Sequence, residues 1–155
     1  MDRTFEEIVS DSLDELYRGA LYLSAGDPRS AEELLADGVR HAARAFRRKR
    51  PSDAEMLLEE QLVAAALRME ADAPSRSDGA GELRGTAAQD GLRVFGVLPA
   101  GVRSAVWLVV VRRRAYSQVA SMLGVDRDRV SGWIRDGHRA MHATGAWESW
   151  KQERG

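Results

Sequence analysis

The sequence predicts an all-α protein: two small helical domains joined by a flexible linker, the C-terminal one organised as a helix-turn-helix. Three observations predict it. Apolar residues recur at helical spacing from Phe5 to about Met69. Residues 72–91 are poor in large apolar side chains and rich in Gly, Ser and Asp. Residues 116–135 carry a short apolar-periodic segment, a glycine and a second periodic segment. The boundaries that follow are 1–71 for the first domain, 72–91 for the linker, 92–142 for the second domain and 143–155 for a tail containing Trp147 and Trp150.

The first helix is read from Phe5, Ile8, Val9, Leu13, Leu16, Tyr17, Ala20 and Leu21. Ala25-Gly-Asp-Pro-Arg29 ends it, with Asp27 or Ser30 available to cap the next N-terminus. The second helix holds Leu34, Leu35, Val39, Ala42, Ala43 and Phe46. Glu32 and Glu33 stand in its first turn and Arg47–Arg50 at its end, the signs its dipole favours; Pro51 stops it. Phosphate binding by Arg47–Arg50 is the rival explanation of that basic run. The third helix holds Leu57, Leu58, Leu62, Ala65, Ala66 and Met69. Residues 72–91 cannot bury enough apolar surface to offset the entropy of ordering. Beyond them, Ala105–Val111 is rich enough in β-branched residues for a strand, but its position downstream of Pro99 suits a buried helix.

Composition excludes several classes of chemistry. With 155 residues and no cysteine, the chain has no disulfide, Cys-based zinc site, iron–sulfur cluster or thiol nucleophile. Its longest apolar runs, Leu62–Leu67 and Ala105–Val111, fall short of the roughly 20 residues of a membrane-spanning helix. The N-terminus opens acidic, without a signal peptide or anchor, so a cytoplasmic protein without membrane contact is expected. No Ser/His/Asp arrangement, phosphate-cradling glycine loop or paired-carboxylate cleft emerges; no catalytic residue, cofactor or enzymatic role is expected. His138 and His142 have a metal-compatible spacing, but no Cys or further His supports them, and no metal site is assigned.

Charge is unevenly distributed. Residues 1–73 carry 10 basic and 16 acidic side chains, residues 92–142 carry 9 basic and 3 acidic, so nucleic acid should meet the C-terminal half. There, Val119, Ala120 and Leu123 would point inward, Gly124 would take a left-handed turn, and Asp126 would cap a helix anchored by Val125, Val130 and Ile134. Arg127, Arg129, Ser131, Arg135, His138 and Arg139 are then candidates to face DNA. Arg112, Arg113 and Arg114 are candidates for backbone contacts, with a solvated face the alternative, and Ser117 and Gln118 are further DNA-binding candidates. Gly132 and Gly137 each cost about 1 kcal/mol in a helix relative to Ala.

The stretch Leu98-Pro-Ala-Gly-Val-Arg through Tyr116-Ser-Gln-Val-Ala-Ser-Met-Leu-Gly-Val125 resembles the promoter-binding domain of extracytoplasmic-function (ECF) sigma factors of bacterial RNA polymerase. Residues 16–46 are similar to the family's polymerase-binding domain. The resemblance implies a transcription initiation factor whose partners are core RNA polymerase, promoter DNA and an anti-sigma factor or other regulatory protein. It implies that Glu32, Glu33, Leu34, Asp37 and Arg40 meet the polymerase clamp.

Departures from the pattern matter as much. Ala36 replaces the glutamine of the family's docking motif in Glu33-Leu-Leu-Ala-Asp37. The third helix, where the family carries aromatic, Asn and basic residues that hold unstacked bases, is acidic and has no aromatic side chain, so it is not expected to melt promoter DNA by itself. Three readings stay open: a working sigma factor, a degenerate relative that modulates initiation, and an interaction module whose acidic half masks a basic surface of a partner or of its own C-terminal half.

Overall fold

In a computed structural model of the chain, residues 3–48, 53–72 and 98–144 are described, and every regular element among them is helical. Local capping chemistry starts most of these helices. Thr4 opens α1 (Phe5–Leu23): its hydroxyl accepts from the Glu7 N–H, while the Glu7 carboxylate accepts from the Thr4 N–H. Asp27 opens α2 (Pro28–Arg48), accepting from the Arg29 N–H and from the Ser30 hydroxyl at 2.6 Å. Of the two caps expected there, Asp27 therefore acts and Ser30 supports it. Asp53 accepts from the Met56 N–H at the start of α3 (Ala54–Asp72).

The β-branched run is helical, as its Pro99 start implied: α4 (Ala100–Val106) continues as a π-helical turn, Trp107–Val111. The chain then passes through Arg113, at φ 57°, into α5 (Tyr116–Leu123). Gly124 takes the left-handed conformation expected of it, at φ 68° and ψ 34°. Asp126 accepts from the Arg129 N–H at 2.7 Å and caps α6 (Arg127–Thr144). Linker residues 73–91, Trp147 and Trp150 lie outside the described residues.

α1, α2 and α3 pack on one another, and α6 packs on α4 and α5. These two groups also pack together: α1 and α3 against α4, α3 against α5. One apolar core therefore runs from Leu16, Leu23 and Leu34 through Leu58, Leu62 and Val63 to Val106, Trp107, Val119 and Ile134. α3 lies between the groups and buries side chains over a wide arc, including Leu58, Leu62, Val63, Ala65 and Ala66.

Glycines admit the closest approaches. A Cβ on Gly19 of α1 would stand 2.3 Å from Trp107 Cζ2, so its absence seats an indole that is 1% exposed. Burying a side chain of that size contributes about 4–6 kcal/mol of gross stabilisation. Gly137 of α6 is required for the same reason, since a Cβ there would meet Val106 Cγ2 at 2.6 Å; nothing lies within 4 Å of a Cβ on Gly132. The two glycines of one helix should therefore respond oppositely to alanine. In urea unfolding, Gly132→Ala should stabilise by about 0.5–1 kcal/mol, while Gly137→Ala should destabilise by about 1–3 kcal/mol through overpacking.

Candidate functional site

The arginine run after α4 is divided by backbone geometry. Arg112 closes the π-helical turn at φ −88° and ψ −7°, and Arg113 reverses the backbone at φ 57°: Arg112 and Arg114 turn back onto α3, and Arg113 is exposed. Both meet Glu59, which is 1% exposed. Arg112 Nε donates to one Glu59 oxygen at 2.8 Å; Arg114 donates through Nε at 2.7 Å to the other and through a terminal nitrogen at 2.8 Å to the first. Arg112 also donates to Glu15 of α1 at 2.7 Å, with Glu55 at 4.0 Å. Burial opposes the Arg112 charge, but its carboxylate partners outweigh that and hold its pKa above the ordinary value; the Glu59 hydrogen bond does the same for Arg114. The carboxylates noticed in the third helix are thus partners of the basic half. Of the arginine candidates for backbone contacts, Arg113 alone is exposed in this arrangement, and Arg112 and Arg114 are engaged internally.

A third link joins the halves. The Glu70 carboxylate of α3 accepts from the Ala100 N–H at 2.9 and 3.1 Å, capping α4 where Pro99 supplies no side-chain donor or acceptor.

The α5–α6 pair, joined at Gly124, presents the remaining candidates. Val130, Ile134 and Gly137 face inward on α6, which turns Arg135 and Arg139 outward; all the arginines of this helix, including Arg127 and Arg129, are exposed. Arg129 lies over the Trp133 ring, 5.5 Å from its centroid, and Trp133 in turn covers Gly101 of α4. Ser131 and His138 are half-buried, the latter 6.0 Å from the His142 ring. On α5, Ser117 is exposed, whereas the Gln118 side chain accepts from the Ala115 N–H at 3.0 Å and is occupied in starting its own helix. Among the described residues, no group of three or more His, Asp and Glu could hold a metal ion, and no helix is long and apolar enough to cross a membrane.

On α2, Glu32, Glu33 and Arg40 are exposed on one face. Leu34 does not share it: at 2% exposure it belongs to the core, as its place in the apolar series implied, and it corrects the motif-based expectation of a clamp contact. Asp37 is half-buried and held by Arg68 of α3 at 2.8 Å, with His41 at 3.4 Å and Arg40 at 4.0 Å. The Arg68 hydrogen bond, with the nearby positive charges, lowers the Asp37 pKa against the opposing effect of burial.

Glu59 and Glu70 were not among the sequence candidates. A signal existed for Glu59: three and four residues before Leu62 and Val63, it shares their inward face. Arg129 on Trp133 had a similar signal in its i, i+4 spacing.

No protein-family model matches the chain, and no curated protein matches it by sequence. In structure, it is similar to the sigma factor RpoE of Bartonella quintana, solved in complex with the anti-sigma factor NepR. The TM-score is 0.68 and the identity 18%, over 90% of this chain and 95% of that one. The fold is therefore sigma-factor-like.

A depressed carboxylate pKa contributes stability above the unfolded value, which is lost as pH falls through the folded one. Asp37→Asn should accordingly destabilise the chain at neutral pH by up to about 1 kcal/mol. In acid, where the wild-type carboxylate is itself protonated, thermal unfolding should show the difference disappear.

Proposed function

We propose that the chain is a sigma-factor-like transcription regulator of the ECF type. Helices α1–α3 bind core RNA polymerase, with Glu32, Glu33 and Arg40 on the contacting face, and the α5–α6 helix-turn-helix binds promoter DNA. The observation that carries this reading is the α5–Gly124–α6 pair, within a sigma-factor-like fold, whose second helix exposes Arg127, Arg135 and Arg139. Guanidinium groups on that face suit phosphates and guanine edges alike. On this reading the protein works in the cytoplasm as a binding protein without catalytic residues, cofactor or metal. The anti-sigma factor bound to the structural neighbour supports a regulatory protein of that kind as a further partner.

A modulator stands beside an initiator as the second reading, on the composition of α3. α3 has no aromatic side chain to stack on an unpaired base, and its Glu59 is buried against Arg112 and Arg114. Transcription from a promoter-bearing template by core polymerase plus this chain separates the two: a specific transcript supports initiation, and polymerase binding without one supports modulation.

The double variant Arg135→Ala/Arg139→Ala should lower affinity for duplex DNA by at least about tenfold and flatten its salt dependence by about one to two logarithmic units, with polymerase association retained. Unchanged affinity in an anisotropy titration would remove α6 from the DNA interface.

A further inference from the structure

We propose that the Glu59 face of α3 is an internal competitor for DNA: it occupies Arg112 and Arg114 in the way a phosphate would, so the closed chain withholds two of its own DNA contacts. The inference rests on the reading of the C-terminal half as DNA-binding.

The geometry gives three supports. First, carboxylate and phosphate offer guanidinium the same pairing, two oxygens set for parallel N–H donors. Glu59 receives that pairing from Arg114 through Nε and a terminal nitrogen, and takes Arg112 on one of the same oxygens. Second, seated arginines cannot serve a duplex. Both side chains are 19% exposed, and Arg112 is further held by Glu15, with Glu55 beside it. Third, the run leads directly into α5, where Ser117, three residues after Arg114, is exposed. Freed, Arg112 and Arg114 would add two guanidinium groups at the entry to the α5–α6 pair.

The competition has a sign. Closure and DNA contact through these arginines exclude each other, so apparent affinity falls in proportion to the fraction of chains that are open. A state with Arg112 and Arg114 on phosphates also releases two more counterions. Opening therefore shows twice, as tighter binding and as a steeper response to salt.

The test is fluorescence anisotropy with a labelled duplex of random sequence, over about 50 to 200 mM salt. It compares the full chain, Glu59→Gln, Glu15→Gln, and Glu59→Gln combined with Arg112→Gln and Arg114→Gln; circular dichroism verifies that each is folded. Glu59→Gln should bind about tenfold more tightly at low salt, with a salt slope steeper by about two units. The combined variant should lose that gain. Glu15→Gln removes a 62% exposed carboxylate and cannot empty the core; it should shift affinity in the same direction by about two- to fivefold. If Glu59→Gln does not fold, Glu15→Gln decides: its gain supports the competition and an unchanged affinity overturns it. A folded Glu59→Gln with unchanged affinity and slope overturns the proposal, as does a gain that persists without Arg112 and Arg114. If affinity still depends on Arg135 and Arg139 in that case, the DNA reading survives alone. Absence of duplex binding by every variant at low salt overturns both.

Discussion

A carboxylate with 1% exposure between two guanidinium groups is the constraint around which the halves of this molecule are arranged. An ion taken out of water loses several kcal/mol of hydration, and its partners return that only if every oxygen is well paired. Glu59 is paired that well. Removing one member of such a cluster typically costs about 3–5 kcal/mol, because the others remain buried and unbalanced. The ion cluster therefore penalises any packing of α4 and α5 on α3 that parts Arg112 and Arg114 from Glu59. Trp107 against Gly19 and the Glu70 cap on α4 then hold the same arrangement from either side.

This arrangement gives the acidity of α3 a physical reason. Glu55, Glu59 and Glu70 look like an obstacle to nucleic acid when the helix is read alone. In the folded chain they are the counter-surface of the basic half, reaching the turn before α5 and the N-terminus of α4. Arg112 and Arg114 thus find their counter-charges within the chain. The arginines of α6 take no part in the Glu59 cluster and remain exposed, so the interface proposed for DNA and the interface between halves share the Arg112–Arg114 turn.

Much of the fold was legible because its signals are local. Asp27 and Asp126 as caps, Gly124 as the left-handed turn residue, and Pro99 as the start of a helix through a β-branched run each depend on a few neighbouring residues. Helical periodicity also placed Leu34 in the core, against the docking-motif assignment, because burial follows the apolar stripe whatever motif lies across it. What was not legible depends on pairs distant in sequence. Nothing near Glu59 says that its partners lie more than fifty positions on. Gly137 read as a cost to its helix until Val106 was seen to occupy the space of the missing methyl, while Gly132 has no such neighbour. Of the candidate site, the arginines of α6 were legible from charge and periodicity; the engagement of Arg112 and Arg114 required the packing of the halves.

The chain has no cysteine, so two can be introduced and labelled without background. The most direct test is the distance between spin labels on Leu13→Cys in α1 and Ser121→Cys in α5, both at exposed positions. If the Glu59 cluster seats the halves on each other, the free protein gives one narrow distance distribution, which broadens toward longer separations when Glu59→Gln is added. A broad distribution in the otherwise wild-type chain, unaltered by that substitution, would contradict the account.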